Sequence, residues 1–201
     1  MGRKKKKGKS IGDTSCTIKF MLHRTITLFG SSKVESEHPV YREAYDLGKM
    51  LAEMGYTVMS GGHAGIMEAA SHGAVDAGGE TIGVTCELLK KKYGVRKNDW
   101  VTTEIQTTKL TERMCILINR ADAILVVAGG VGTVGEVGLA WAGMQGGEFV
   151  RKPFIFIGDE WKDAMQSFIA KMREYIRDGD TDFLLFAKDN AQALKMLSTL
   201  K

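Results

Sequence analysis

Short apolar segments alternate with amphipathic ones along this chain from about Thr25 onward. The clearest apolar segment is residues 123–127 (AILVV), a continuous run typical of a strand buried on both faces inside a parallel sheet. The stretches between such runs carry apolar residues at helical spacing, for example Ala44, Leu47 and Leu51. Because strands that alternate with helices form a parallel sheet covered on both faces, the sequence predicts a mostly parallel, Rossmann-like α/β fold.

The expected elements follow this alternation. Strands are predicted at residues 26–29, 56–59, 81–84, 101–106, 123–127, 154–157 and 183–186, and helices at 40–54, 64–77, 112–119, about 131–144, 161–177 and 190–200. Asn190 is the expected N-cap of the last helix. Residues 86–100 are polar, include Lys90-Lys91-Lys92, and are predicted to form an irregular surface excursion.

The positive charge of the chain is concentrated at its start. The net charge of the 201 residues is +4, but six basic residues fall within the first nine positions and no acidic residue accompanies them. The sequence therefore predicts a disordered basic tail over residues 1–15 and one Rossmann-like nucleotide-binding domain over 16–201. A nuclear address or an RNA-binding arm is the alternative for the tail. The remaining residues are slightly acidic, so a nucleic-acid partner is not expected.

Other classes of protein are disfavoured by what the sequence lacks. No apolar run reaches the ~18 residues that a membrane span needs, and no hydrophobic segment of a secretory signal follows the tail. The cysteines are odd in number and far apart, and the histidines show no ligand spacing, so reduced thiols, no metal site and a cytoplasmic location are expected. These residues are Cys16, Cys86, Cys115, His23, His38, His63 and His72.

Three predicted strands end in loops rich in glycine or serine, at residues 30–32, 60–62 and 128–130. In parallel α/β sheets, ligands bind beyond the carboxyl ends of the strands. If these strands are neighbours, their loops meet in one crevice. The glycines of the second loop have an alternative explanation, which is tight packing between the strand and the helix. His63 in this loop is either a residue without a chemical role or a proton donor.

Residues 129–136 give the strongest indication of a ligand site. Glycines let backbone N–H groups approach an anion, the following helix presents its positive end, and Thr133 adds a hydroxyl, so a phosphate site is predicted. The segment also matches GxGxxG, the signature of a dinucleotide-dependent oxidoreductase. In such an enzyme an acidic residue that binds the ribose lies ~20 residues further on. The nearest candidates here, Asp159 and Glu160, come 29 and 30 residues after Gly130, so the oxidoreductase is the less favoured alternative.

Two charged residues near this segment have more than one interpretation. Thr133 and Glu136 have the spacing of a capping box, in which the glutamate only satisfies a free N–H group. Alternatively, Glu136 serves a positive charge that develops in a reaction. Arg113 is either a solvated surface arginine or part of the site.

The motifs together resemble the LOG family, the cytokinin riboside 5′-monophosphate phosphoribohydrolases that are often labelled lysine decarboxylases. Residues 129–136 are similar to its PGGxGTxxE motif, residues 29–32 to its first loop and residues 60–67 to its GGGxxGxM loop. Arg113 falls where the family has an essential arginine, before residues 121–123 (ADA). The resemblance covers about residues 25–160.

This resemblance implies a homodimer that hydrolyses a nucleoside 5′-monophosphate without a cofactor. Arg113 and Glu136 would act on the N-glycosidic bond, because a carboxylate stabilises a cationic, oxocarbenium-like sugar. The expected substrate- and phosphate-binding residues are Gly30, Ser31, Ser32, Gly61, Gly62, Gly65, Met67, Gly129, Gly130, Val131, Gly132 and Thr133. No lysine stands out as a pyridoxal-phosphate anchor, so a decarboxylase is not expected.

Three positions depart from the family pattern. Ala128 replaces the motif proline, Met114 replaces a lysine, and Glu68 stands where the hydrolases commonly have glycine. The sequence Met67-Glu68 is more similar to the related branch of molybdenum-cofactor carriers and DNA-processing-A-like proteins. A non-catalytic carrier of a nucleotide or of a molybdenum cofactor is therefore the alternative function.

Overall fold

A computed structural model describes residues 24–199 of the chain. The predicted basic tail (1–15), Cys16 and His23 lie outside the described residues. Strands run over β1 (Thr25–Phe29), β2 (Thr57–Ser60), β3 (Thr81–Cys86), β4 (Thr103–Thr107), β5 (Ala123–Val126), β6 (Phe154–Ile157) and β7 (Leu184–Ala187). Helices run over α1 (Pro39–Glu53), α2 (Ile66–Asp76), α3 (Glu87–Tyr93), α4 (Leu110–Asn119), α5 (Val131–Gly146), α6 (Asp159–Lys171) and α7 (Asn190–Thr199), and Arg173–Tyr175 form a short 3₁₀ turn.

The strands form one seven-stranded sheet in the order β4-β3-β2-β1-β5-β6-β7. Every neighbouring pair is parallel, which confirms the predicted Rossmann-like α/β fold. The chain adds strands in one direction from β1 to β4 and then returns to place β5 on the other side of β1. Because the strand order reverses between β1 and β5, a crevice opens there at the carboxyl ends of the strands.

Helices cover both faces of the sheet, and β1 shows how the alternation of its side chains divides between them. Ile26 and Leu28 pack with α1, α2 and α7 on one face. Phe29 packs on the other face with α4, α5 and α6. Thr27 is fully buried, and its hydroxyl donates a hydrogen bond to the Leu117 carbonyl of α4 at 2.8 Å. The polar residue of this buried strand is thereby satisfied.

Helices α1 and α2 cross at backbone contact distance. A Cβ on Gly48 would overlap the Ala70 carbonyl, and a Cβ on Gly73 would overlap the Tyr45 carbonyl. The small residues of α2 thus bring the loop before α2 close to the loop after β1.

The structure corrects three predictions. Residues 86–100 include the helix α3, which has no buried residue and therefore no amphipathic pattern to reveal it. The helix predicted over 161–177 ends at Lys171, and beyond it the Arg173 side chain holds a tight turn by contacting the Ile176 carbonyl and the Asp178 carboxylate.

The third correction concerns the start of α7. The side chain of Asp189, not that of Asn190, accepts the hydrogen bond from the Gln192 amide at 2.9 Å. Asn190 instead donates to the Glu43 carbonyl of α1. No helix within residues 24–199 is long and apolar enough to cross a membrane.

Candidate functional site

The loops after β1, β2 and β5 meet at the switch point. The Ser31 amide donates to the Ala128 carbonyl at 2.9 Å, and the Ser31 carbonyl accepts from the Ile66 amide at 2.9 Å. Ser31 therefore ties the first loop to both of the others. Gly65 has a φ of +71°, and a Cβ at this position would crowd the Ser31 carbonyl and Ser32. Only glycine therefore fits at position 65 without strain.

Residues 94–98 also brace the second loop, a role that the sequence did not reveal. The Asn98 amide donates to the Gly62 carbonyl at 2.8 Å, and the Asn98 side chain donates to the His63 carbonyl at 2.9 Å. Asn98 is buried. A buried asparagine inside a polar segment carries no sequence pattern that separates it from its exposed neighbours.

The third loop leads into α5, whose first turn has free amides. Gly130 is the N-cap residue, and no side chain caps this helix. The amides of Val131, Gly132 and Thr133 have no hydrogen-bond partner within residues 24–199. Unpaired N–H groups and the positive end of the helix dipole together favour an anion at this point.

The glycines of this loop differ in what surrounds them. A Cβ on Gly129 would overlap the Thr133 side chain, whereas Gly130 and Gly132 have open space around them. Thr133 is 3% exposed and its hydroxyl makes no hydrogen bond within the described chain. Val131 is 91% exposed, so its backbone, and not its side chain, is the group that can contribute to an anion site.

Arg113 of α4 is buried between β3 and α5, where it is only 5% exposed. Its Nε donates to the Val84 carbonyl of β3 at 2.7 Å, and its Nη1 donates to Glu136 Oε1 at 3.2 Å. The expectation of a solvated surface arginine is thus wrong. The contact with β3 fixes the guanidinium plane, so one edge is held by the sheet and another faces the carboxylate.

Two residues of the second loop pack against this guanidinium. A Cβ on Gly61 would overlap Nη2 of Arg113. Met67 Sδ lies 4.0 Å from the same nitrogen. Glycine at position 61 therefore provides the space that the arginine occupies.

Glu136 lies in the second turn of α5 and does not cap the helix. The capping-box interpretation is wrong because the N-cap is Gly130, which makes Thr133 the third helical residue. The Glu136 side chain is 12% exposed and pairs with Arg113. Burial raises the pKa of Glu136 from 4.5 to about 7, although the Arg113 guanidinium acts in the opposite direction. A carboxyl with this pKa can exchange a proton near neutral pH.

Glu68 and the two described cysteines were also noted in the sequence, and the structure shows their surroundings. Glu68 accepts a hydrogen bond from the Tyr41 hydroxyl at 3.4 Å, and burial together with this carboxylate raises the pKa of Tyr41 to about 12. Cys86 is buried and Cys115 is partly buried. Within residues 24–199, no group of three or more His, Cys, Asp and Glu side chains is arranged to hold a metal ion.

The switch point thus combines three unpaired amides of α5 with a largely buried carboxylate and a buried guanidinium. The rise of an α-helix is about 1.5 Å per residue, so the Glu136 backbone lies about 5–8 Å along the axis from the amides of Val131, Gly132 and Thr133. This separation suits a ligand whose phosphate meets the amides while its adjoining sugar meets the carboxylate.

Known proteins with similar sequences or structures fall into two groups. An uncharacterised protein of Archaeoglobus fulgidus is 35% identical over 106 residues, which are 53% of this chain and 67% of that protein. A cytokinin riboside 5′-monophosphate phosphoribohydrolase of Mycobacterium tuberculosis is 34% identical over 119 residues. That match spans 59% of this chain and 62% of the enzyme, so less than two thirds of the enzyme is covered.

The fold is also similar to that of the molybdenum cofactor binding protein from the phototrophic bacterium Rippkaea orientalis. The TM-score is 0.70 at 25% sequence identity, covering 89% of this chain and 98% of that one. The model of the SLOG cluster4 family matches residues 23–176, which include the three loops, Arg113 and Glu136. This chain therefore belongs to the SLOG cluster4 family, and it is related to phosphoribohydrolases and to molybdenum-cofactor-binding proteins.

Proposed function

We propose that this protein hydrolyses the N-glycosidic bond of a nucleoside 5′-monophosphate and releases the free base and ribose 5-phosphate. The observation that carries the proposal is the buried pair of Arg113 and Glu136 beside the uncapped first turn of α5. The similarity to the mycobacterial phosphoribohydrolase supports the same reaction.

In the proposed reaction, the amides of Val131, Gly132 and Thr133 bind the 5′-phosphate. The bond between the base and C1′ breaks with its electron pair leaving on the base, and positive charge develops on the sugar. Glu136 in its ionised form stabilises this charge and accepts a proton from the water that attacks C1′. Arg113 is held by the Val84 carbonyl and orients the carboxylate. The proton that Glu136 accepts passes through solvent to the departing base, so that one water is divided between the sugar and the base and Glu136 is ionised again.

Purified protein incubated with AMP, GMP, CMP, UMP and a cytokinin ribotide tests this proposal. We expect at least one of them to yield free base and ribose 5-phosphate in equal amounts. Release of base from none of the five would contradict the proposal.

A molybdenum-cofactor or nucleotide carrier is the second candidate function. It is favoured by the similarity to the Rippkaea orientalis protein and by Ala128, Met114 and Glu68, which depart from the hydrolase pattern. A carrier retains its ligand, so mass spectrometry of the freshly purified, denatured protein would detect a pterin or a nucleotide. A ligand-free protein that turns over nucleotides would reject this candidate.

The proposed assembly is a homodimer. Val131 and Val134 on α5 and Leu110 on the neighbouring α4 are apolar side chains that are 91%, 56% and 38% exposed. A second copy of the chain that covers these side chains would remove them from water. Analytical ultracentrifugation should show a dimer, and Val134→Glu should shift it towards the monomer. A monomeric wild-type protein would contradict this assembly.

A further inference from the structure

A second cavity lies beyond the carboxyl ends of β3 and β4. Its volume is about 540 Å³, within the range of small-molecule sites. It is bounded by His63 of the second loop, by side chains of β3 and β4 that include Thr85 and Glu104, and by α3 with the segment that follows it. None of the residues assigned above to the phosphate or the sugar lines this cavity.

The cavity is positively charged. Its lining contains four Lys and Arg side chains and two acidic ones, although the described domain as a whole is slightly acidic. Both acidic groups in the cavity are already engaged, since Glu87 pairs with Lys91 at 3.2 Å and Glu104 accepts from the Thr85 hydroxyl at 2.7 Å. The side chains of Lys90 and Arg96 have no partner within residues 24–199, so their charge is available to an anion.

His63 adds a buried polar atom that lacks a partner. Its Nδ1 lies 3.1 Å from the Arg96 carbonyl oxygen. A carbonyl only accepts, so Nδ1 carries the proton and Nε2 presents a lone pair. Nε2 is buried without a hydrogen-bond partner, the only such side-chain atom in the described part of the chain. An unsatisfied buried group is costly, so a ligand that donates to Nε2 gains from an acceptor that is already dehydrated.

The helix α3 that borders the cavity contributes no side chain to either hydrophobic core. It ends at Gly94, which has a φ of +67°. Arg96 follows this turn and is exposed, and its carbonyl contacts His63 at the edge of the cavity.

We propose that this cavity is a second ligand site, which binds a phosphorylated metabolite through Lys90 and Arg96 and receives a hydrogen bond from its N–H or O–H group at His63 Nε2. A nucleotide and a sugar phosphate both have this chemistry. The site is separate from the crevice at α5, so the proposal does not depend on the hydrolysis of a nucleoside monophosphate.

Isothermal titration of the full chain with ADP and with fructose 1,6-bisphosphate tests the proposal and distinguishes the two sources. At least one should bind saturably. The double variant Lys90→Ala/Arg96→Ala should weaken that binding about tenfold or more, since each side chain would supply a charge-assisted hydrogen bond to the phosphate. Lys92→Ala is the matched control, because Lys92 is on the same helix but does not line the cavity.

Three further variants separate the role of His63 from that of the α5 site. His63→Phe removes the acceptor and should weaken binding at least about threefold, whereas His63→Gln keeps an acceptor and should lose less. Thr133→Ala changes the α5 site and should leave this binding unchanged. The proposal is overturned if neither compound binds, if the double variant binds as the wild type does, if Lys92→Ala is equally weakened, or if Thr133→Ala alone abolishes binding.

Discussion

Arg113 Nη1 lies 3.2 Å from Glu136 Oε1, and both side chains are buried where α4, α5 and β3 meet. A buried ion pair stabilises a fold less than its attraction suggests, because both groups lose their hydration. Here the loss of hydration is large enough to raise the pKa of Glu136 despite the neighbouring guanidinium. A pair that is expensive to bury and lies at the strand-order switch point is better explained by chemistry than by stability.

The first prediction concerns the pH dependence of catalysis. Glu136 must be ionised to stabilise a cationic sugar, and its pKa is about 7. We therefore expect kcat/KM for a nucleoside monophosphate to rise with pH and to level off above about pH 7. A rate profile measured from pH 5 to pH 9 checks this. A plateau that already begins at pH 5 would show that Glu136 is not the titrating group.

The raised pKa of Glu136 also predicts how the free energy of unfolding depends on pH. Between pH 4.5 and about 7 the folded protein keeps a proton on Glu136 that the unfolded chain releases. Raising the pH through this window therefore lowers the free energy of unfolding, by about 3 kcal/mol at most. Glu136→Gln cannot titrate. Urea unfolding of both proteins at several pH values should show that the wild type loses stability relative to the variant as the pH rises. An unchanged difference would contradict the raised pKa.

Gly61 is predicted to be essential for the position of Arg113. A Cβ at this position would overlap Nη2 of the guanidinium. Gly61→Ala should lower kcat/KM at least about tenfold and destabilise the protein by about 1–3 kcal/mol. Gly146→Ala, at the end of α5 with open space around it, is the control. It should leave kcat/KM unchanged and should not destabilise the protein, because alanine is favoured over glycine in a helix. Equal effects of the two substitutions would argue against a positioned guanidinium.

Gly129 and Gly130 form a matched pair for the phosphate site. A Cβ on Gly129 would overlap Thr133 in the first turn of α5, whereas a Cβ on Gly130 meets nothing within 4 Å. We expect Gly129→Ala to weaken binding of ribose 5-phosphate about tenfold, because it displaces amides that bind the anion. Gly130→Ala should have less than about a threefold effect. Calorimetry of both variants checks this, and a larger loss for Gly130→Ala would place the anion elsewhere.

The alternation of apolar and amphipathic segments was enough to predict the parallel sheet and six of the helices. Helix α3 was not predicted, because none of its residues is buried and its sequence therefore has no apolar face. The convergence of the loops after β1, β2 and β5 followed from their shared place at strand ends.

The sequence was less informative about how the candidate site is held. Thr133 and Glu136 have the spacing of a capping box, and only the position of Gly130 as N-cap shows that they do not form one. The residues around Arg113 in the sequence could not decide between a surface arginine and a site residue, because its partners, the Val84 carbonyl and Glu136, are distant in sequence. Backbone carbonyls leave no pattern in a sequence, and the support of the second loop by Asn98 was missed for the same reason.

The role of Glu136 is tested most directly by the rates at which the wild type and Glu136→Gln release the base. With a nucleoside monophosphate that the wild type cleaves, we expect the variant to bind the nucleotide within about threefold of the wild type and to lose about 10²–10³-fold in kcat. Both proteins should unfold cooperatively, so that the loss reports on chemistry. A Glu136→Gln variant that releases base at the wild-type rate would contradict the central claim.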